Sequence, residues 1–286
     1  MPYAMPSQHA ISANAFHADV RAFRRSPSAF RGFVHSRKSA SLRNARVVST
    51  RASATPTLYD VPVSNNGARV RLLLYWKGME SQISIQNPSE IGGLKSEEYL
   101  SLNPQGKMPL LVLPDGLAIP ESEVISQYVL DEYSDVGPLL IPSDAKQRAL
   151  ATLATRIHDI YIVPIQGCMY RGPMDIGKRA EDLSQIYKQL DAVEKILQDA
   201  KQLRVNTPSS EDYDPIPDGP FICGQEPCFA DAGLFPTWVF FERILPRYFG
   251  WKDVFSGRPL TQTWFEAMCA DTCGERILLE IRKGLD

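Results

Sequence analysis

The chain has 286 residues, of which 44% are hydrophobic, and a formal net charge of −2. This length suffices for one large or two modest domains, and its longest apolar runs fall far short of the ~20 residues that cross a bilayer. The charge is unevenly distributed: residues 1–51 hold nine basic residues and one acid, which leaves 22 bases, 32 acids and a net charge of −10 for the rest. Such an acidic body repels nucleic-acid phosphates, so we expect neither nucleic acid nor a membrane as a partner.

Residues 1–51 are also rich in serine and alanine and contain no continuous apolar segment. A basic, serine-rich and acid-poor leader is typical of an organelle transit peptide. We therefore expect a disordered transit peptide at 1–51, with the chloroplast as its destination and the mitochondrion as the alternative. A basic tail that binds nucleic acid or an anionic surface is the competing interpretation.

Residues 56–135 alternate between strand and helix patterns. The segment TLYDVPV predicts a strand, the apolar spacing of Val70, Leu73 and Leu74 predicts a helix, and Pro114-Asp115-Gly116 is typical of a hairpin turn between two strands. The predicted order is βαβαββα, an α/β domain with a mixed sheet.

The second half of the chain shows no strand pattern. We predict a linker at 136–143, which is rich in proline and glycine, and an all-α domain at 144–286. Two apolar stripes at helical spacing, one from Leu150 to Tyr161 and one from Leu183 to Leu197, predict an antiparallel helix pair in a bundle. Pro164 lacks the N–H that would continue the first helix, so we expect a kink there.

Three short segments of the α/β half carry polar groups where they can bind a ligand. Ser64, Asn65, Asn66 and Gly67 follow a strand and open a helix, whose free N–H groups favour an anion. An ordinary helix cap is the alternative for these residues alone. Met108-Pro109 enters a strand from a turn, where a cis bond would turn the N–H and C=O of Met108 outward. Glu121-Ser122 opens a second helix and offers a carboxylate and a hydroxyl for the charged ends of an amino acid.

These segments, in this order, resemble the glutathione S-transferase superfamily. The matching motifs are strand–S/T-x-N-G-x-x-V–helix, N-P-x-G-K-x-P and E-S at a helix start, and CFADAGLFP in the second half is similar to a further family motif in the sixth helix. The resemblance covers roughly residues 56–284. It implies a thioredoxin-like domain at 56–135 followed by a helical bundle, and a homodimer.

The resemblance also implies roles for particular residues. Ser64 would hydrogen-bond the glutathione sulfur and favour its thiolate, and Asn66 would assist or replace it; of the two we prefer Ser64. Lys107, Met108 and Pro109 would hold the cysteinyl part of glutathione, and Glu121 and Ser122 its γ-glutamyl end. The candidate residues of the electrophile site are His158, Tyr161, Met169, Tyr170 and Arg171, although a structural role is the favoured interpretation for His158.

The implied activity is a glutathione transferase that conjugates glutathione to small hydrophobic electrophiles, with glutathione as co-substrate and no other cofactor. A zeta-type maleylacetoacetate isomerase is one alternative, although that class has S-S-C where this chain has Ser64-Asn65-Asn66. A non-catalytic carrier of hydrophobic ligands such as tetrapyrroles is the other. No cysteine lies near Ser64, which disfavours disulfide-exchange chemistry.

The five cysteines form no C-x-x-C pair, and His158 is the only histidine after the leader. A zinc site of the Cys/His type therefore lacks ligands, and we expect no metal and free, buried thiols. Cys228 stands where the family motif has the capping serine or threonine, which weakens the capping box. Asp231 can still accept from backbone N–H groups, so we expect it to be structural.

Overall fold

A computed structural model of the chain describes residues 55–206 and 218–286. The predicted transit peptide and part of the acidic loop that follows residue 204 lie outside the described residues. Within the described ranges, no helix is both long and apolar enough to cross a membrane.

The first half has the predicted order βαβαββα, so this part of the fold prediction is confirmed. A short 3₁₀ helix, Pro88–Ile91, is the one addition to that order within this described stretch. The elements are β1 (Thr57–Tyr59), α1 (Asn65–Trp76), β2 (Ser84–Gln86), α2 (Glu97–Leu102), β3 (Leu110–Val112), β4 (Ala118–Pro120) and α3 (Ser122–Glu132).

The four strands form one mixed sheet in the order β2-β1-β3-β4. Only β2 runs parallel to β1, and the other neighbours are antiparallel. Tyr59 at the end of β1 faces Leu110 at the start of β3, and Leu110 faces Pro120 at the end of β4. The segments that follow Tyr59, precede Leu110 and follow Pro120 therefore leave the sheet at one edge, which we call the site edge.

Helices α1 and α3 cover the sheet with apolar side chains. Leu58 of β1 and Leu111 of β3 are buried against Leu74 of α1 and Ile125 of α3. Val124, one residue before Ile125, is 49% exposed, because only every third or fourth position of a helix faces one neighbour.

The second half is helical, as predicted. Its helices are α4 (Ala145–Ile157), α5 (Ile176–Asn206), α6 (Phe229–Phe249), α7 (Pro259–Ala270) and α8 (Thr272–Leu285). Helix α6 is buried over most of its length, and Trp238 and Phe241 are fully buried within the core of this half. Since α6 packs against α1, the two halves share one hydrophobic core.

The first apolar stripe is less buried than predicted. Leu153, Ile160 and Tyr161 are each about half exposed. The helix changes from α to π geometry at His158–Ile162, one turn before Pro164, and Val163 N–H donates to the carbonyl oxygen of His158. This bond spans five residues instead of the four of an α-helix. The residues after it are therefore rotated about the helix axis and no longer continue the apolar stripe.

Asp231 has the structural role that its place in α6 predicted. Its carboxylate accepts the N–H groups of Ile222 at 3.1 Å and Cys228 at 2.7 Å, and the indole N–H of Trp264 at 2.7 Å. Three hydrogen bonds satisfy a fully buried carboxylate, and they fix the start of α6 to the loop before it and to α7.

Candidate functional site

Ser64 is the N-cap of α1. Its backbone is extended, and its Oγ accepts the N–H of Gly67 at 3.0 Å. The interpretation of Ser64 as a helix cap is therefore correct. The hydrogen of the Ser64 hydroxyl, however, has no acceptor anywhere in residues 55–206 and 218–286. A hydroxyl that accepts one bond can still donate another, so this half-buried group can donate to a ligand.

The two asparagines after Ser64 differ in their contacts. Asn65 Nδ2 donates to Gln166 at 2.7 Å, and the hydroxyl of Thr237 donates to Asn65 Oδ1 at 2.9 Å. The half-buried side chain of Asn66 makes no hydrogen bond to another described residue. Asn65 therefore ties α1 to the helical half, while Asn66 keeps its amide free.

Gly67 makes room for a carboxylate of the same chain. A Cβ at this position would lie 1.8 Å from Oδ1 of Asp60, so the close approach that glycine permits here is that of the Asp60 carboxylate. Asp60 is buried and pairs with Arg71 of α1. The structure therefore gives Gly67 a packing role, because a side chain at this position would collide with the Asp60 carboxylate.

The second segment of the site edge is the turn that enters β3. The peptide bond between Met108 and Pro109 is cis. The carbonyl oxygen of Lys107 accepts the hydroxyl of Tyr99 and the amide of Asn103, both at 2.7 Å. Lys107 is exposed, Met108 half-buried and Pro109 buried. Tyr99 and Asn103 therefore hold the backbone of the turn while the Lys107 side chain stays in solvent.

The third segment is the start of α3. Ser122 is buried and is the first residue of the helix, while Glu121 before it is exposed with φ of +72°. A left-handed backbone at a residue other than glycine costs about 1–3 kcal/mol, and such strain collects at ligand-binding sites. The left-handed conformation of Glu121 places its carboxylate in solvent beside the N-terminus of α3.

The sheet register brings these segments together at the site edge. Helix α1 follows β1, helix α3 follows β4, and the cis peptide precedes β3, so two helix N-termini and one turn leave the same edge. Helix N-termini present N–H donors and partial positive charge. The arrangement can hold an extended, peptide-like anion.

A buried polar network lies behind α1, and no local sequence pattern predicts it. Arg69 of α1 pairs with Glu123 of α3 and, at 2.9 Å, with Asp159 of the π turn. His158 lies 2.9 Å from Asp159 through Nδ1 and 2.6 Å from the Thr237 hydroxyl through Nε2. Through Thr237 the network reaches Asn65, so it connects the starts of α1 and α3 with the helical half.

The charges of this network are tuned by burial and by one another. Burial lowers the pKa of His158, because a charged imidazole would lose its water there. Burial opposes ionisation of Asp159, but its bond to His158 and the charge of Arg69 together hold its pKa below the usual value. Asp159 is therefore ionised, and it compensates the charge of Arg69.

Comparison with known proteins gives the same family for both halves. The model of the glutathione S-transferase N-terminal domain matches residues 58–137, and that of the C-terminal domain matches residues 177–267. The chain belongs to the glutathione S-transferase superfamily.

Individual members show how far the similarity extends. A Zea mays relative described as a probable glutathione S-transferase, BZ2, is 34% identical over the matched region. That region covers 48% of this chain and only 59% of the relative's length. A maleylacetoacetate isomerase of Rattus norvegicus is 29% identical over 66% of this chain and 79% of its own. The crystal structure of glutathione transferase F2 from Populus trichocarpa has a TM-score of 0.61 and 20% identity, and the match covers 80% of this chain and all of that one; it shows the same fold.

Within this glutathione S-transferase fold, the candidate residues of the electrophile site divide into two groups. Tyr161, Tyr170 and Arg171 are exposed. His158 and Met169 are buried, and His158 has both ring nitrogens engaged. The structure therefore does not support contact of these two with an electrophile. They lie inward because the π turn and the 3₁₀ helix after it, Gln166–Met169, direct one side into the core.

The structure also bears on metal binding. Among the described residues, no three histidine, cysteine, aspartate or glutamate side chains converge on one point. All five cysteines are free thiols. Burial raises the pKa of Cys168 to about 11, so this thiol is protonated at neutral pH.

Proposed function

We propose that the protein is a glutathione transferase in which the Ser64 hydroxyl donates a hydrogen bond to the glutathione thiolate. The observation that carries the proposal is the hydrogen-bonding state of Ser64. Its oxygen already accepts the N–H of Gly67 at 3.0 Å, which orients the hydroxyl at the start of α1 and leaves its hydrogen for a ligand. A thiolate is an acceptor that suits this place, since the helix N-terminus favours negative charge.

The energy that the site has to supply is modest. A free thiol with a pKa of ~8.5 is mostly protonated at neutral pH. Lowering that pKa by about two units takes ~3 kcal/mol of preferential stabilisation of the anion. One hydrogen bond to a charged group contributes ~1.5–3 kcal/mol, and a helix N-terminus adds ~0.3–1 kcal/mol. Ser64, assisted by the free amide of Asn66 and by α1, is sufficient.

The other two segments of the site edge suit the rest of glutathione. The backbone of Met108, next to the cis peptide, offers an N–H and a C=O to the cysteinyl unit, and Lys107 offers a cation beside it. Glu121 offers a carboxylate to the γ-glutamyl ammonium, and Ser122 offers a hydroxyl and its place at the start of α3 to the α-carboxylate. Thiolate attack on an electrophilic carbon then needs mainly positioning.

The electrophile is proposed to be small and hydrophobic. Tyr161, Tyr170 and Arg171 are the exposed candidates for its site, and the ring of Tyr170 packs against Phe240 with centroids 6.1 Å apart. Aromatic surface of this kind favours apolar or aromatic ligands.

The decisive experiment replaces Ser64 by alanine. We expect kcat/KM for conjugation of a model aryl halide to fall about 100-fold, the loss typical of removing a donor to a developing anion. The affinity for glutathione in titration calorimetry should change less than about threefold, because most of the tripeptide binds elsewhere.

The matched control is Ser96→Ala. Ser96 caps α2 through Tyr99 N–H at 3.1 Å, but its hydroxyl already donates to backbone carbonyl oxygens of the chain. Both variants lose a helix cap, and only Ser64→Ala loses a free donor. Full conjugation by Ser64→Ala, or an equal loss in Ser96→Ala, would refute the role of Ser64. Glutathione binding without turnover of any electrophile would favour a carrier of hydrophobic ligands.

A zeta-type isomerase is the second candidate, and the similarity to the maleylacetoacetate isomerase of Rattus norvegicus favours it. The same binding site for the glutathione thiolate, at the start of α1, would serve that reaction. Asn66, however, stands where the S-S-C motif of that class has cysteine. Assaying cis–trans isomerisation of maleylacetoacetate beside conjugation, with glutathione present and absent, distinguishes the two.

We propose further that the protein is a homodimer. Val124 of α3 and Leu153 of α4 expose apolar side chains, which a second copy could cover. Light scattering of the full chain measures the mass directly, and a monomer at micromolar concentration would contradict this proposal.

The chloroplast is the proposed location, with the mitochondrion as the alternative. The support is the composition of residues 1–51, with nine basic residues and one acid. A fluorescent protein fused behind residues 1–55 should enter plastids of a green cell. Diffuse cytosolic fluorescence would exclude both organelles.

A further inference from the structure

The loop before α6 holds two thiols side by side. The sulfur of Cys228 lies 3.7 Å from that of Cys223, with the Cys228 thiol donating. Cys228 is buried and Cys223 is half-buried, and both are free. Neither has a place in the proposed glutathione chemistry.

One carboxylate sets this spacing. Asp231 accepts the N–H of Ile222 through Oδ1 and the N–H of Cys228 through Oδ2. Ile222 directly precedes Cys223, so a single fully buried group holds both ends of the loop that carries the thiols. Phe221 and Gly224 also exchange two backbone hydrogen bonds, at 3.0 and 3.2 Å, which close the turn around Cys223.

We propose that Cys223 and Cys228 form a reversible intramolecular disulfide, with glutathione disulfide as the oxidant. The Cys223 thiolate attacks one sulfur of glutathione disulfide, which forms a mixed disulfide and releases one glutathione. The Cys228 thiolate then attacks the Cys223 sulfur and releases the second glutathione. The two protein thiols lose two protons and two electrons, and glutathione disulfide takes up both electrons as it becomes two thiols.

The surroundings determine the order of the two steps. Cys223 is the more accessible of the two thiols, so it is the one that glutathione disulfide can reach first. A disulfide has its sulfurs ~2.05 Å apart, so the two sulfurs have to approach by about 1.7 Å from their 3.7 Å separation. Burial raises the pKa of Cys228, so closure is expected to be the slower step and to accelerate as the pH rises.

The chain contains its own control pair. Cys269 and Cys273 are four residues apart, near the junction of α7 and α8, but among the described residues no hydrogen bond joins their sulfurs, unlike those of Cys223 and Cys228. Proximity of sulfurs, and not closeness in sequence, is the property that the proposal requires. The inference is independent of the proposed transferase function.

The experiment equilibrates the reduced full chain with mixtures of glutathione and glutathione disulfide, blocks free thiols with iodoacetamide, and maps tryptic peptides by mass. Residues 205–243 form one peptide that holds Cys223 and Cys228, and residues 253–276 form one that holds Cys269 and Cys273. We expect the first peptide to escape alkylation and appear about 2 Da below its dithiol mass. The second should carry two alkyl groups.

Two variants make the result specific. Cys223→Ser should leave Cys228 free to be alkylated after unfolding, while Cys273→Ser should leave formation of the Cys223–Cys228 disulfide unchanged. Dithiothreitol should reduce that disulfide and restore alkylation of both thiols. Full alkylation of residues 205–243 in excess glutathione disulfide would overturn the proposal. So would a stable glutathione adduct on Cys223, or equal oxidation of the peptide 253–276.

Discussion

The two sides of α1 use polar residues in opposite ways. At its N-terminus, on the site edge, Ser64 and Asn66 keep hydrogen-bonding capacity that no described residue uses. On its buried side, Asn65 and Arg69 are bonded to partners in four other elements: α3, the π turn, the 3₁₀ helix Gln166–Met169 and α6.

The adjacent asparagines show what separates the two sides. Asn65 bonds to Gln166 and Thr237, and Asn66 bonds to neither. Buried polar groups need partners within the protein, because an unpaired one costs ~1–3 kcal/mol, whereas groups left free at a surface are available to a ligand. The state of its hydrogen bonds, and not the residue type, distinguishes a structural from a candidate functional side chain here.

The largest effect is expected from Arg69→Met. The change leaves Glu123 and Asp159 without their cation in a mostly buried place, and breaking a buried ion pair costs ~3–5 kcal/mol. Urea unfolding measures this loss as a lower free energy of unfolding.

The control for Arg69 is Arg156→Ala. Arg156 is half exposed and lies 3.7 Å from the same Asp159, so its loss should cost no more than ~1 kcal/mol. Similar costs for the two variants would contradict the view that burial makes the network on this side of α1 structural.

A smaller and more selective effect is expected from alanine at the two asparagines. Asn65→Ala removes one partner each from Gln166 and Thr237 and should lower the free energy of unfolding by ~1–3 kcal/mol. Asn66→Ala should change it by no more than ~0.5 kcal/mol and should instead reduce conjugation. If Asn66→Ala proves the less stable of the two, the assigned roles are reversed.

The smallest effect is a pH dependence at His158. Because burial lowers its pKa in the folded protein, the unfolded chain binds a proton near pH 6.5 that the folded chain does not. The free energy of unfolding should therefore fall as the pH drops through about 6.5.

His158→Gln tests this dependence, since glutamine is neutral at every pH. The slope of stability against pH between about 7 and 5 should be shallower in the variant than in the unchanged chain. Asp159, whose pKa is lowered, adds to the slope only at more acidic pH, because its stabilising effect is lost where its carboxylate gains a proton. Identical slopes in the two proteins would show that folding does not shift the pKa of His158.

The candidate site was largely predictable because its signals are local. A hydroxyl before a helix, a proline at a strand start and a carboxylate before a second helix each follow from neighbouring residues. The sheet register then explains why they converge, since alternation of strands and helices places such ends at shared edges. The roles of Lys107, Met108, Glu121 and Ser122 toward glutathione stay predictions until a ligand is measured.

The buried network was not predictable for the converse reason. Arg69 and Arg71 sit in an ordinary helical sequence, where an arginine usually reaches solvent. They are buried because α1 is covered by the sheet on one side and by α6 on the other. Arg69 donates to Asp159, 90 residues away along the chain, and Arg71 donates to Glu280 of α8, 209 residues away. No local pattern indicates contacts at that separation.

The sequence by itself determined the order of the elements, the all-helical second half and the polar segments of the site edge, because periodicity and helix-start chemistry act over a few residues. Only the tertiary structure decided which polar groups are satisfied. It paired Asn65 and left Asn66 free, filled the space at Gly67 with Asp60, and turned His158 inward, because burial and hydrogen bonding depend on elements that meet only after the chain has folded.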